Sequence, residues 1–255
     1  MTALSDALAG ARAYDLEQPR HAGAPVWPAH APGVLLKLHR RHEAGLGEAR
    51  TSASALLVMS EHSGTHIDAF CHQAEDLHLH GGVAVDAQVQ TAEGFTQLGT
   101  DTIAPLLARG VLLDCAEAGH AIGAEELERA AEGLEIHPGD VILVRTGAGA
   151  LWEEDPDAFL AAGGIDASGS RWCADREPLA VGADNMAWDV PGAEDPELGT
   201  LPGHLLLLVR AGVYIIEGLN LEELARDRVR EFAFVCLPLK LRGGTGSPVR
   251  PLALV

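Results

Sequence analysis

The sequence predicts a mixed α/β domain in which strands and helices alternate. Three observations carry that expectation. At 255 residues the chain is long enough to bury a large core. Apolar runs of strand length, such as Val141 to Arg145, are separated by amphipathic stretches, such as Glu125 to Glu132. No internal repeat, charge block or long low-complexity linker divides the chain. One domain is therefore expected over 1–255, with 1–33 forming an N-terminal strand and arm.

The elements follow in chain order. A short strand at Tyr14–Leu16 leads into an extended arm rich in Pro and Gly. His39 and His42 read as a solvated basic stretch. Ser54 to Ser60 (SALLVMS) is a candidate buried strand, and His78 and His80 alternate as in a surface strand or pocket rim. Gly110 to Cys115 is a core strand. Glu125 to Glu132 places Leu127, Ala130 and Ala131 on one side of a helix that Gly133 stops. A turn at Pro138-Gly139 starts the Val141–Arg145 strand. Gly147 to Trp188 has little periodicity and reads as loops closing over a site, with a short helix near Asp157–Ala162. From His204 a helix, a Gly212 turn and a buried strand Val213–Ile216 lead to Glu217.

Composition excludes some functions. Net charge is 18 − 37 = −19, which argues against a nucleic acid or an anionic membrane as partner. Apolar runs such as Leu205 to Val209 fall far short of the roughly 18 residues a bilayer span needs. The N-terminus lacks the basic head and apolar core of a secretion signal. Cys71, Cys115, Cys173 and Cys236 are widely spaced, as expected of reduced thiols in the cytoplasm. Cys71 beside His72 reads as a buried structural residue, because neighbours on an extended segment point apart.

The chemistry concentrates between Ser60 and Gly82, which holds five of the twelve histidines. His62, His66, Asp68 and His72 are suited to one site, since imidazoles and a carboxylate make a good shell for Zn2+ or Mn2+. On a helix Asp68 would lie about 240° round from His62. On a straight strand His62 and His66 would be about 13 Å apart. A bend between them solves the geometry, and Gly64 stands there. Beyond it, His66 and Asp68 share a face of a short extended segment, and Thr65 could support a ligand by hydrogen bonding.

HSGTHIDAFCH resembles the HxGTHxDxPxH signature of the cyclase-like metal-dependent hydrolases, among them kynurenine formamidase, isatin hydrolase and trans-dienelactone hydrolase. The likeness continues in PVWP, in the helix, PGD turn, strand and RTG order, in VGADNMAWDVP and in GTGSPVRP. It runs from about Tyr14 to the C-terminus and is weakest between 147 and 200. Phe70 replaces the signature's proline, and Ala29-His30 replaces a usual Gly-Asp.

The resemblance implies a swivelling β/β/α fold with a central curved sheet or barrel flanked by helices. It places Trp27 in the substrate pocket and maps a distant His and Glu onto His204 and Glu217, which would complete a second metal site. It also implies a homodimer or higher homo-oligomer, the N-terminal arm reaching a neighbour's pocket. Its reactions open amides or lactones, often cyclic and joined to an aromatic ring. The chain's length points to an isatin hydrolase-like member, with arylformamidase as the alternative.

The expected mechanism is metal-assisted hydrolysis by one or two ions. Such an ion lowers the pKa of water from ~15.7 toward about 7 and polarises a carbonyl. His72 is placed as general acid/base. Asp184 reads as a loop cap in the commoner case. Two other classes compete. His66, Asp68 and His204 also satisfy the pattern of a non-haem Fe(II) oxygenase, with Arg210 binding an oxoacid. A non-catalytic metal-binding module would need a closed shell.

Overall fold

The computed structural model describes residues 2–45, 47 and 49–255. Among them nine strands form one mixed sheet. In chain order they are β1 (Ala13–Asp15), β2 (His66–Asp68), β3 (Leu106–Asp114), β4 (Val141–Arg145), β5 (Ala180–Ala183), β6 (Tyr214–Glu217), β7 (Glu231–Cys236), β8 (Gly246–Pro248) and β9 (Leu252–Leu254). Across the sheet they run β1-β9-β7-β3-β4-β5-β6-β2-β8. Strands β3 to β6 are a parallel block, and the others add antiparallel at its two sides. The sheet curls into a half-barrel with helices against it, as expected of a curved central sheet.

Burial on both faces explains the apolar runs. Along β4, Val141 and Leu143 join one core with Leu16, Ile216 and Phe234, while Ile142 and Val144 join a second with Trp172, Leu207 and Ile215. Helix Ala124–Ala130 contributes Leu127 to that second core, and helix Ala167–Ala174 contributes Trp172 and Cys173. Gly133, at φ 77°, sits where the first of these is expected to stop.

Three segments differ from expectation. Ser54–Val58 is a strand, but it pairs with Leu35–Arg40 in a separate hairpin, and every residue of it is exposed. An apolar run predicts burial only where something covers it, and here no described residue does. Gly147 to Trp188 is more ordered than its composition suggests. Asp166 caps helix Ala167–Ala174 by accepting from the Gly169 N–H at 2.9 Å. Trp152, Trp172 and Trp188 are buried in the interior instead of lying in loops over a site. The helix after His204 is a π-helix, Leu205–Ala211, following the short helix Pro202–His204. Its turn at Gly212 (φ 70°) and the following β6 stand as expected, with Glu217 as the last strand residue.

Candidate metal centre and active site

The bend at Gly64 is present, with φ at 67°, and an added Cβ would meet the Arg20 guanidinium at 2.5 Å. Arg20 fixes the turn by donating to the carbonyls of Ser63 and Thr65. After the bend, β2 carries His66 and Asp68 on one face. Next to it β6 runs antiparallel, and Glu217 lies directly across from His66. Opposed residues share a face, so His66 Nε2 stands 3.3 Å from a Glu217 oxygen and 3.6 Å from Asp68 Oδ1. On the other side Gly246 lies opposite Asp68. A side chain there would strike the His62 ring at 2.5 Å, so glycine leaves room for the imidazole.

His62 reaches Asp68 Oδ1 through Nδ1 at 2.9 Å, and His204 Nε2 lies 3.4 Å from Asp68 Oδ2 and 3.3 Å from Glu217 Oε1. Two sets of donor atoms result, each converging within 4.8 Å: His62, Asp68 and His72, and Asp68, His204 and Glu217. Asp68 belongs to both. His66 stands between them, and the ring of His72 is 4.1 Å from that of His62 and 6.0 Å from that of His204. The fold thus brings together all six polar residues that the sequence singles out, from segments 62–72, 204 and 217.

The partners behind the rings decide which nitrogen faces inward. His66 Nδ1 donates to the Gly64 carbonyl at 2.7 Å, and His204 Nδ1 donates to Asp189 at 2.7 Å. His62 Nε2 meets the Thr245 hydroxyl at 2.8 Å, and that hydroxyl also contacts Glu61 Oε1. A carboxylate can only accept, so Thr245 donates to Glu61 and accepts from His62 Nε2–H. Each imidazole therefore spends its proton outward and turns a lone pair to the centre, the tautomer a metal ligand needs. Both Asp68 oxygens, Glu217 Oε1 and His62 Nδ1 are buried with no well-formed hydrogen bond. Buried polar atoms without partners are costly. A divalent ion satisfies that donor set, so the residues fit one.

Electrostatics point the same way. Burial pushes Asp68 up, but His72, His204 and His62 around it hold it well below the usual carboxylate range. Glu217 also falls, as His204 and His66 outweigh burial and Asp68. Burial opposes the charged forms of His66 and His204. Glu217 and Asp68 nevertheless raise His66, and Asp189, Asp68 and Glu217 raise His204 well above normal. Burial draws His72 down to about 3, so its ring is neutral at working pH, and its Nε2 lies 3.3 Å from the Gln73 amide nitrogen. The sign follows. Protons on His66 and His204 stabilise the metal-free protein below about pH 6.5, and that contribution is lost as pH rises through their raised values. An ion must displace those protons. Zn2+ titrated calorimetrically in two buffers of different protonation heat is expected to show net proton release at neutral pH and tighter binding at higher pH. Zero release would contradict the raised values of His66 and His204 in the metal-free protein.

Other side chains divide into supports and bystanders. Asp184 accepts from Thr146 N, Thr146 Oγ1, Gly147 N and Gly149 N at 2.6–3.2 Å, so it caps that loop. Asp189, five residues on, is the one that touches the site. Thr65 does not hold a ligand side chain; its hydroxyl donates to the Gly218 carbonyl and accepts from Gln18 N–H, tying the N-terminal segment to the end of β6. Arg210 pairs with exposed Glu75 and is not free to hold an oxoacid. Cys71 is buried, and burial pushes its thiol up to about 12, which suits a structural residue. Trp27, 37% exposed, starts the turn Pro28–His30. His30 on that turn stacks on His62 at 4.8 Å, a site neighbour the sequence marks only as a departure from pattern.

A family model described as "Putative cyclase" matches residues 14–190. The chain belongs to that family. The chain is 28% identical over 241 residues to a protein named kynurenine formamidase from Paracidovorax citrulli, covering 93% of this chain and 94% of that one. A kynurenine formamidase from Sphingopyxis alaskensis is 25% identical over 244 residues, covering 94% and 97%. Among solved structures, one described as a novel cyclase superposes with a TM-score of 0.84 at 28% identity, covering 98% of this chain and 88% of that one. Isatin hydrolase A from Ralstonia solanacearum superposes with a TM-score of 0.77 at 24% identity, covering 99% and 96%, and shares the fold.

The outer links should be measurable in this protein. Thr245→Val removes the acceptor for His62 Nε2–H while keeping the side chain's shape. Metal affinity is expected to fall about 10- to 100-fold, the usual cost of losing such a support. Competition against a fluorescent Zn2+ chelator measures it. An unchanged affinity would show that Glu61 and Thr245 do not orient the ring.

Proposed function

We propose that the protein is a metal-dependent hydrolase that opens the C–N bond of a cyclic or aryl-linked amide, or a related lactone, in the manner of isatin hydrolase. The observation that carries this is the buried ring of donor atoms around Asp68, in which both Asp68 oxygens, Glu217 Oε1 and His62 Nδ1 have no well-formed hydrogen bond. His62, His66, Asp68, His204 and Glu217 would hold one or two ions, Zn2+ or Mn2+. Bound there, an ion supplies an acidified water and a polarised substrate carbonyl. His72, neutral and within ring contact of His62, accepts a proton from the attacking water and returns it to the leaving nitrogen or oxygen. Trp27 offers a flat apolar face to an aromatic substrate at the turn that also carries His30.

Arylformamidase activity is the second reading, favoured by relatives of that name that match nearly the whole chain. We take residues 1–255 as one cytoplasmic domain acting on a small molecule, without nucleic acid, in a homodimer or higher homo-oligomer. No described helix is long and apolar enough to cross a membrane.

Metal content by mass spectrometry, with hydrolysis of isatin, N-formylkynurenine and a dienelactone, tests the proposal. One or two equivalents of zinc or manganese and EDTA-sensitive turnover are expected. Protein that stays metal-free after incubation with both ions would overturn it.

A further inference from the structure

Burial marks the way into the metal centre. His62, His66, Asp68, His204 and Glu217 are buried, whereas His30 and His72 are only half-buried. Solvent, and hence a substrate, reaches the ring of donor atoms past those two imidazoles. His30 stands at this mouth because of its turn. Pro28 presets the backbone at the start of Pro28–His30, and the His30 N–H closes on the Trp27 carbonyl at 2.8 Å. The ring is thereby held over the site, stacked on His62 at 4.8 Å and 6.2 Å from His72.

His62, His66 and His204 each give a ring N–H to the protein behind them. His30 does not: among the described residues neither of its ring nitrogens has a hydrogen-bond partner. Whether neutral or charged, an imidazole has at least one N–H to donate. The aspartate usual at this position, where Ala29-His30 replaces Gly-Asp, can only accept. An acceptor oxygen of a substrate would be left unpaired against a carboxylate and would be paired by an imidazole N–H. Because His30 abuts His62 and flanks His72, the oxygen it meets lies one or two bonds from a carbonyl held beside those residues. We propose that His30 is a specificity-determining residue, donating its N–H to an oxygen on the carbon next to the carbonyl that is attacked. The substrate class is then a 2-oxo amide, cyclic or open, and the product a 2-oxo acid. The inference rests on the amide-hydrolase reading above and adds the feature that selects among amides.

Calorimetric titration of the zinc-loaded full chain with phenylglyoxylate and with phenylacetate tests this. The two acids share a ring and a carboxylate and differ in the 2-oxo oxygen. The parent protein is expected to bind phenylglyoxylate about tenfold more tightly, the scale of one well-placed hydrogen bond. His30→Phe keeps a ring on His62 and loses the donor. It should bring the two affinities together, with zinc content and phenylacetate affinity unchanged. His30→Asn offers an NH2 and should recover part of the preference, whereas His30→Asp should weaken both acids and abolish it. If His30→Phe fails to fold, His30→Asp decides. A preference that survives these changes, as chelation of the ion by the 2-oxo acid would give, overturns the inference. So would a parent that binds both acids equally or neither, or loss of zinc from His30→Phe, which would make His30 a ligand. The amide-hydrolase reading is judged separately, on metal content and EDTA-sensitive turnover of the parent, so failure here leaves it standing.

Discussion

Replacing Asp68 by asparagine is expected to empty the metal centre and abolish turnover. Asp68 is the one residue common to both sets of donor atoms, and both its oxygens are buried and free of well-formed hydrogen bonds. Asparagine keeps the shape but removes the negative charge and replaces one acceptor oxygen with an NH2. The amide would then face the inward lone pairs of His62 and His204 as a donor, a contact that competes with any ion. Charge stabilisation by a metal is worth several kcal/mol, so the loss in kcat/KM should reach about 10³-fold or more. Metal analysis and kinetics on the same preparation check it. An Asp68→Asn protein that retains its metal and most of its activity would remove Asp68 from the centre of the site.

Replacing His72 by alanine separates two roles that geometry leaves close together. His72 offers a nitrogen to the set containing His62 and Asp68, so it can serve an ion as well as a proton. As general acid/base it should be dispensable for binding. The expected result is unchanged metal content with turnover lowered by about 10²- to 10⁴-fold, the scale of proton-transfer assistance. A protein that loses one equivalent of metal would make His72 a ligand and move the proton-transfer role elsewhere. His30, which lies 6.2 Å from His72 ring to ring, would then be the next residue to change.

Local logic explains what could be read in advance. The bend at Gly64 and the shared face of His66 and Asp68 follow from strand period and glycine's freedom alone, and both are present. The buried strands of the parallel block were equally plain, since Val141–Arg145 is apolar at every position but the last. Asp189 was hidden because Asp184, in the same loop, has the same chemistry, and only the path of the chain decides which carboxylate meets His204. The hairpin misled for the opposite reason. SALLV carries a core composition, but exposure depends on what covers a segment, and a partner leaves no mark on periodicity. His204 and Glu217 lie far from the His-rich segment in sequence, so only resemblance to a family pattern could join them to it. The π-helical turns after His204 left no recognisable signal in a run of four leucines.

The cross-strand pairing of His66 with Glu217 has a bearing on biosynthesis. Ribosomes deliver the two residues about 150 positions apart, and at roughly 5–20 residues per second the interval is on the order of ten seconds or more. Throughout that interval the emerging polypeptide displays the histidines of its first third with neither Glu217 nor a neighbouring β6 beside them. Cellular zinc or manganese would meet an incomplete chelate, weaker and less selective than the finished one. On the proposed ligand set, metallation would be completed by the folded polypeptide, and the ion bound would reflect the pool that the mature protein meets.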